Sequence, residues 1–181
     1  MYMAHERIGI LSDTHDNQWA LEAILDRFRE AGVAHVIHAG DFVAPFSAKY
    51  FAEWSGSFLG IFGNNDGERI GLAKQFADIG PLHVGPHPIR VLGRRFLVMH
   101  EPAALDAIGH SGDFDAVIYG HTHVVDIREV PNATGNGSTL IINPGEAGGW
   151  LHGKATAVIL HPETMEYALV EVPRYPQEGI S

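Results

Sequence analysis

The first half of the chain alternates short apolar runs with segments in which apolar residues recur at helical spacing. The apolar runs predict strands over residues 7–12, 35–39 and 57–62. The helical spacing predicts helices over residues 19–30, 45–53 and somewhere within 67–77. This alternation is typical of βαβ units, so we expect the α/β fold class and a mainly parallel sheet covered on both faces.

The pattern changes after about Pro81, where strands begin to follow one another directly. Residues 89–92 and 96–99 flank the turn signal at Gly93 and predict a β-hairpin. A helix over 103–111 is predicted next, followed by strands over 116–119, 124–130, 139–143, 156–160 and 167–172. These strands indicate a second, more antiparallel sheet. Two mixed sheets in a single domain of residues 1–181 should pack face to face as a four-layer α-β-β-α sandwich.

Composition and charge exclude several classes of protein. The chain has 181 residues, of which 45% are hydrophobic, so it can bury a substantial core. Its net charge of −10 disfavours a long nucleic acid as partner, because a polyanion would be repelled. No apolar run approaches the roughly 20 residues that span a bilayer. A first strand near residue 7 leaves no room for the apolar segment of a signal peptide, so we expect a cytoplasmic protein without a membrane partner.

Side chains that can bind metals follow the predicted strands at their carboxyl ends. The chain has no Cys and 12 His, so any metal must be bound through nitrogen and oxygen. Seven such residues follow five strands: Asp13, His15, Asp41, Asn64, His100, His121 and His123. Open α/β sheets form their sites at this edge, and in extended backbone residues two apart, such as Asp13 and His15, point to the same side. A lone Asp after a strand is more often a helix cap, but seven such groups together predict a metal centre, because their charges need cations.

The order of these motifs gives the chain a family resemblance. The motifs are Asp13-x-His15, Gly40-Asp41, Gly63-Asn64, His100 and Gly120-His121-Thr122-His123, followed by Asn143-Pro144-Gly145. From about residue 7 to about residue 172 the chain resembles the calcineurin-like metallophosphoesterase superfamily, and within it the small, cap-less bacterial and archaeal phosphodiesterases. The resemblance implies an enzyme that hydrolyses small phosphodiesters, so its partner would be a small-molecule phosphoester substrate.

The resemblance also implies a binuclear metal centre in which Asp41, the main catalytic residue, bridges two divalent ions. The first ion would be bound by Asp13, His15 and His123, and the second by Asn64, His100 and His121. Mixed imidazole, carboxylate and amide ligands suit Mn²⁺, our first choice, or Fe²⁺, Zn²⁺, Co²⁺ and Ni²⁺ better than Ca²⁺ or Mg²⁺. Two ions about 3.5–4 Å apart can share a water, lower its pKa towards roughly 7 and clamp the phosphoryl oxygens during in-line attack.

The chain departs from the family's pattern at two positions. Many members have Gly-Asn-His-Asp or Gly-Asn-His-Glu, with the His protonating the leaving group, where this chain has Asn65. An amide can only donate a hydrogen bond, so we expect Asn65 to bind substrate and turnover to be slow on poor leaving groups. The second is Glu101, which could support a ligand, face the substrate or, as we favour, cap the helix over 103–111.

Four further polar residues near the motifs have more than one interpretation. Asp66 is predicted to be catalytic by orienting Asn65, or else to cap the next helix. Asn17 is predicted to touch the substrate phosphate, although it could cap the first helix instead. His38 could orient a ligand or be a buried, satisfied imidazole, and Glu146 could border the site.

Two other functions compete with a phosphodiesterase. A phosphomonoesterase of the same fold needs positive groups around the dianion, and the sequence places no Arg or Lys next to a metal motif. A non-catalytic scaffold, like the retromer subunit that shares this fold, would have lost some of its ligands, whereas here all seven positions are filled by suitable residues. The exposed strands of the second sheet could also pair in a homo-oligomer.

Overall fold

The computed structural model describes residues 6–176, which form eleven strands and four α-helices. The strands are β1 (Arg7–Leu11), β2 (Val33–His38), β3 (Ser57–Phe62), β4 (Leu82–Val84), β5 (His87–Val91), β6 (Arg94–Val98), β7 (Ala116–Ile118), β8 (Val125–Pro131), β9 (Ser138–Pro144), β10 (Lys154–Leu160) and β11 (Tyr167–Pro173). The helices are α1 (Gln18–Glu30), α2 (Ala48–Ala52), α3 (Arg69–Phe76) and α4 (Leu105–Ser111). Within the described residues, no helix is long and apolar enough to cross a membrane.

The strands form two mixed sheets. The first has six strands in the order β11-β10-β1-β2-β3-β4, and the second has five in the order β5-β6-β7-β9-β8. Strands β1 to β4 are parallel to one another, as are β6, β7 and β9. The carboxyl ends of parallel strands lie at one edge of a sheet, so each sheet can present several polar side chains at the same edge.

The prediction that the last two strands belong to the second sheet is wrong. Strand β10 pairs antiparallel with β1, with Ile8 opposite Leu160, and β11 pairs with β10. Every residue of β10 after Lys154 is buried, as expected for a strand with neighbours on both sides. The second sheet is accordingly mixed rather than mainly antiparallel. Strand β4 was not predicted, because three residues give too short a pattern to recognise.

Three apolar layers hold the sheets and helices together. One lies between the first sheet and helices α1 to α3, the second between the two sheets, and the third between the second sheet and α4. Alternation along the strands divides the residues between layers: Phe96 and Val98 of β6 face the layer between the sheets, and Leu97 faces α4. This arrangement confirms the predicted α/β fold class and the α-β-β-α sandwich.

The helices lie close to their predicted positions, with one break. The helix predicted over 45–53 begins as a 3₁₀ turn over Pro45–Ser47 and becomes α-helical only from Ala48. Pro45 occupies the first position of the turn, where its missing N–H would have had no partner in any case. The chain thus passes from β2 to α2 through residues 39–44 and this 3₁₀ turn.

An aromatic cluster lies directly beneath this turn. Phe42 is completely buried, packs against Phe51, Phe58 and Phe76, and stacks on the His38 ring with 3.7 Å between centroids. Because Phe42 follows Asp41 in sequence, its packing fixes the backbone that carries this carboxylate.

We expect Phe42→Ala to lower the free energy of unfolding by about 3–5 kcal/mol, because it removes a buried aromatic ring and leaves a cavity. Urea denaturation of the metal-free protein measures this loss. The matched control is Phe46→Ala, since Phe46 is 66% exposed and its removal should change stability by no more than about 0.5 kcal/mol. Equal losses in the two variants would show that the cluster does not anchor the turn.

Candidate metal centre

All seven predicted ligand residues meet at the carboxyl-end edge of the two sheets. They lie in the loops after β1, β2, β3, β6 and β7, which approach one another because both sheets present this edge on the same side of the molecule. Backbone hydrogen bonds join these loops, including Asp13 N–H to the Gly40 carbonyl at 2.9 Å and Gly120 N–H to the His100 carbonyl at 3.1 Å. The site is therefore supported by rigid strands, not by an isolated loop.

Five of the seven ligand residues adopt the left-handed backbone conformation. Their φ angles are 55° at Asp13, 42° at His15, 62° at Asp41, 70° at His121 and 60° at His123. The extended geometry expected for the pairs two residues apart is therefore wrong. Left-handed conformations cost about 1 kcal/mol or more for residues other than Gly and cluster at functional sites, where surrounding contacts maintain them.

The first group of candidate ligands contains Asp13, His15 and His123. Asp13 Oδ1 lies 3.4 Å from His123 Nε2 and 3.7 Å from His15 Nε2, and the two imidazole rings stack with 5.0 Å between centroids. Ligand atoms about 2.0–2.2 Å from one ion are separated from each other by roughly 3–3.6 Å. The three side chains therefore have the spacing of ligands to one ion. His15 Nε2 is also buried without a hydrogen-bond partner among the described residues, as expected for a ligand atom.

The second group contains Asn64, His100 and His121. Asn64 Oδ1 lies 2.8 Å from His100 Nε2 and 2.8 Å from His121 Nδ1. The other nitrogen of His100, Nδ1, is hydrogen-bonded to the Ala39 carbonyl at 2.8 Å, which fixes the ring so that Nε2 faces the centre. These three side chains therefore also converge on one point.

Asp41 lies between the two groups. Its Oδ2 is 3.5 Å from His15 Nε2 of the first group and 3.2 Å from His100 Nε2 of the second. The carboxylate lies tightly against the next loop, because a Cβ on Gly63 would be 2.1 Å from Asp41 Oδ1. Gly63 is therefore needed for this approach, and Asp41 has the position of a carboxylate shared by both groups.

The charges in this site are strongly coupled. Burial raises the pKa of Asp41, but hydrogen bonds from His100 and Asn65 outweigh burial and hold its pKa well below the ordinary carboxyl value. Burial lowers the pKa of His15 and of His100, but the neighbouring carboxylates outweigh it and raise both values. A site that keeps Asp41 anionic and stabilises positive charge on two of its imidazoles favours cations.

Comparison with known proteins decides the family. The family model for the calcineurin-like phosphoesterase superfamily domain matches residues 7–165. The chain belongs to the calcineurin-like phosphoesterase superfamily. This confirms the resemblance seen in the motifs, and with it the prediction of a hydrolase that acts on phosphoric esters. The superfamily is metal-dependent, in agreement with two groups of side chains that could hold a metal ion, one formed by Asp13, His15 and His123 and the other by Asp13, Asp41 and His100.

Individual relatives support this membership. Phosphodiesterase MJ0936 from Methanocaldococcus jannaschii is 36% identical over 165 residues, which cover 89% of this chain and 96% of the relative. A solved structure of an archaeal phosphodiesterase matches with a TM-score of 0.83 at 35% identity and covers 92% of this chain and 99% of its own. Vps29 from Entamoeba histolytica has a TM-score of 0.62 at 17% identity over 92% of this chain and 99% of its own, which shows a shared fold alone.

Glu146 is a residue of the phosphoesterase site that sequence reasoning placed only near its border. It is buried, and its Oε2 lies 3.1 Å from His123 Nδ1, while Oε1 accepts hydrogen bonds from the amides of Leu151 and His152 at 2.9 and 2.7 Å. Burial raises the pKa of Glu146, but hydrogen bonds from His123 and these amides outweigh it and lower the pKa. An anionic Glu146 therefore orients His123 so that Nε2 faces Asp13.

Asp66 has neither of its predicted roles. Its carboxylate accepts backbone hydrogen bonds from Gly63 at 2.7 Å, Val43 at 2.7 Å and Asp41 at 3.1 Å, and it neither caps α3 nor contacts the Asn65 side chain. A buried carboxylate saturated by backbone amides is a positioning group. Asp66 therefore ties the loop after β2 to the loop after β3 and holds the backbone of Asp41.

Asn17 is the N-cap of α1. Its Oδ1 accepts from the amide of Ala20 at 3.3 Å, and its Nδ2 donates to the carbonyls of Gly148 at 2.7 Å and Arg174 at 2.9 Å. Both amide hydrogens and the carbonyl oxygen are thus used inside the protein, and the side chain is buried. The structure therefore favours the capping role over the predicted contact with a phosphate.

Asn65 hydrogen-bonds to the carboxylate of Asp41, and His38 supports its backbone. The Asn65 side chain donates to Asp41 Oδ2 at 2.7 Å, and its backbone N–H donates to Oδ1 at 2.8 Å. Burial lowers the pKa of His38 well below the ordinary imidazole value, so the ring is neutral, and it accepts from the Gly40 amide. Its other nitrogen hydrogen-bonds to Thr14 Oγ1, which donates to the Asp41 carbonyl at 3.3 Å. His38 is thus a buried, satisfied imidazole that supports the Asp41 loop.

Two charged residues differ from their sequence interpretation. Glu101 does not cap α4, because the N-cap residue of this helix is Ala104 and no side chain caps it. The side chain of Glu101 is exposed. Arg69 does lie next to a metal motif, since its NH2 group donates to the Gly63 carbonyl at 3.1 Å. The absence of a cation near the motifs, inferred from the sequence, is therefore wrong. The sequence does not reveal this contact, because it depends on α3 beginning at Arg69, which directs the side chain back towards the preceding loop.

We expect Glu146→Gln to weaken metal binding by about 10–100-fold. The carboxylate accepts from His123 with one oxygen and from two backbone amides with the other, whereas an amide side chain has only one oxygen that can accept. Competition with a chromophoric chelator measures the affinity. Glu22→Gln, an exposed change on α1, should leave it unaltered.

A double mutant shows whether Glu146 acts through His123. In a His123→Ala background, Glu146→Gln should weaken metal binding no further. Equal losses in the two backgrounds would mean that Glu146 only stabilises its own loop.

Proposed function

We propose that this protein is a binuclear metal-dependent phosphodiesterase that hydrolyses small phosphodiesters. The observation that carries the proposal is the position of Asp41, whose Oδ2 lies within 3.5 Å of an imidazole nitrogen from each ligand group. A carboxylate in this position can serve two ions at once. Support also comes from the relative MJ0936, a phosphodiesterase that is 36% identical and covered over 96% of its length.

The donor atoms of the two groups fit divalent transition metals. Imidazole nitrogens predominate and are joined by carboxylate and amide oxygens, a set that suits Mn²⁺, Fe²⁺, Zn²⁺, Co²⁺ or Ni²⁺, of which we propose Mn²⁺. When bound, two such ions lower the pKa of a water for attack on phosphorus and neutralise the charge on the phosphoryl oxygens. In such a reaction the water attacks phosphorus directly, so no protein nucleophile is required.

The residues of the chain have separate tasks in this reaction. Asp41 holds the two ligand groups at a fixed distance, and Asp66 and His38 hold the backbone of Asp41. Asn65 is exposed and donates one amide hydrogen to Asp41 Oδ2, which leaves the second hydrogen of its Nδ2 for an oxygen of the substrate. This donor can bind the phosphoryl group or the leaving oxygen, but it cannot protonate the leaving group.

A phosphomonoesterase is the second candidate, and Arg69 is the observation that favours it. A cation beside the Gly63-Asn64 motif could bind the additional charge of a monoester dianion. The named relative favours the diester. The cytoplasmic location and a homo-oligomer stay predictions from the sequence.

Removing the metal and restoring Mn²⁺ tests the proposed reaction. We expect the metal-free protein to be inactive, and the Mn²⁺-loaded protein to hydrolyse bis(p-nitrophenyl) phosphate with a higher kcat/KM than p-nitrophenyl phosphate. Asp41→Asn should lower kcat at least 100-fold and weaken binding of both ions, whereas Asp78→Asn, an exposed change on the surface, should leave both unchanged. Hydrolysis of neither ester with any divalent metal would contradict the proposal.

Substrates with different leaving groups test the role of Asn65. We expect Asn65→His to raise kcat for an alkyl diester by up to about 10²–10⁴-fold, because imidazole can protonate an alkoxide, and to change kcat little for a nitrophenyl diester. Asn136→His, in the exposed hairpin between β8 and β9, serves as the control. An unchanged rate on the alkyl diester would show that leaving-group protonation is not limiting.

A further inference from the structure

A cavity extends away from the second group of metal ligands. It has a volume of about 610 Å³, and both Asn64 and His100 form part of its wall. The rest of the wall comes from the end of β3, the start of α3, the connection between β4 and β5, and the residues after β6. A substrate whose phosphorus lies at the metal centre would therefore have one ester group at the mouth of this cavity.

Arg69 is fixed at the wall of the cavity. Its Nε donates to the Asp66 carbonyl at 3.2 Å and its NH2 group to the Gly63 carbonyl at 3.1 Å. The guanidinium also lies over the Phe62 ring, 5.3 Å from the centroid. These contacts hold an otherwise flexible side chain in one place, so little entropy is lost when it binds a ligand.

The charge of Arg69 is not neutralised inside the protein. No carboxylate oxygen lies within 4.0 Å of it among residues 6–176, although the chain has 22 acidic residues and 12 basic ones. Other arginines of the chain do have such partners, namely Arg27, Arg29, Arg94, Arg95 and Arg128. In the described part of the chain, its hydrogen bonds use only two of five N–H donors. The remaining donors suit an anion.

The other residues that line the cavity suit a short ligand group that has both apolar and polar parts. Met99 and Pro86 give part of the wall an apolar character. Glu101 also lines the cavity, is exposed, and accepts no hydrogen bond from the residues that the structure describes. Its carboxylate can accept from a hydroxyl group of the ligand while Arg69 binds an anionic one.

We propose that this cavity is the subsite for one ester group of the substrate, and that Arg69 selects phosphodiesters in which this group carries a second anionic substituent, a phosphate or a carboxylate. This inference rests on the proposed function, since it assumes a diester at the metal centre. A guanidinium can donate two parallel hydrogen bonds to either a phosphate or a carboxylate. The ligand class is therefore defined by the negative charge and paired oxygens that these two anions share.

Matched substrates test the subsite. We compare three p-nitrophenyl phosphodiesters whose second ester group is 3-hydroxypropyl, 3-phosphopropyl or 2-carboxyethyl, all with the Mn²⁺-loaded enzyme. The wild type should have a kcat/KM about 10–100-fold higher for an anionic ester than for the hydroxypropyl ester, as expected for a charge-assisted hydrogen bond. The phosphate and carboxylate arms show which anion is preferred.

Variants of Arg69 then assign the selectivity. Arg69→Gln should reduce the ratio of anionic to neutral kcat/KM to about one, and Arg69→Lys should keep part of it, because lysine retains charge without the fork. The control is Arg90→Gln, which should keep the ratio, since Arg90 lies opposite Arg95 at the far end of β5 from the metal centre. A ratio near one in the wild type, or equal losses on all three esters in Arg69→Gln, would overturn the proposal.

A failure of the proposed function gives a different result. If the wild type hydrolyses none of the esters with any divalent ion, the intact esters become ligands for calorimetry on the Mn²⁺-loaded protein. Tighter binding of the anionic esters that is lost in Arg69→Gln would support the subsite even then. Equal Kd values for anionic and neutral esters would overturn it.

Discussion

Two buried carboxylates with only histidine as charged partners are the constraint on which the structure of the site depends. Asp13 and Asp41 are almost completely buried, and in the described part of the chain no Lys or Arg lies within ion-pair distance of either. Burying unpaired carboxylates is costly, because they lose the hydration that stabilises their charge. Imidazoles compensate for this cost, which explains why histidines from three different loops surround the two carboxylates.

Buried polar residues around the candidate ligands hold the backbone and side chains of the site in place. Asp66 joins the loops after β2 and β3, His38 supports the Asp41 loop through Thr14, and Glu146 orients His123. Each of these groups is buried with its hydrogen-bonding capacity used, so it holds the left-handed backbone that would otherwise relax. The aromatic packing of Phe42 below the loop adds a contribution that does not depend on charge.

The strand ends and the convergence of the seven candidate ligand residues could be predicted from the sequence, because each depends on a local pattern: an apolar run followed by a polar side chain. The return of β10 to the first sheet could not, because its partner β1 lies about 150 residues earlier in the chain and both sheets offer similar apolar surfaces. The contact of Glu146 with His123 could not be predicted either, since only the folded loop brings the two side chains together. Arg69 is close to the motif in sequence, but the direction of its side chain depends on where α3 begins.

The two groups of candidate ligands differ in charge, so the two sides of the site differ in the charge that they present to a substrate. The first group contains the carboxylate of Asp13, whereas the second has only the amide of Asn64 and two imidazoles besides the shared Asp41. The second side is therefore the more positive when cations are bound, and it is the side that meets the cavity and Arg69. On the first side, Trp150 donates its Nε1–H to the His15 carbonyl at 3.1 Å and Glu146 is hydrogen-bonded to His123, next to a smaller pocket that Lys154 and Glu171 also line. An anionic substrate would thus be drawn to the second side, where Asn65 and Arg69 supply donors and Glu101 is the one acidic residue among the described residues that line the cavity.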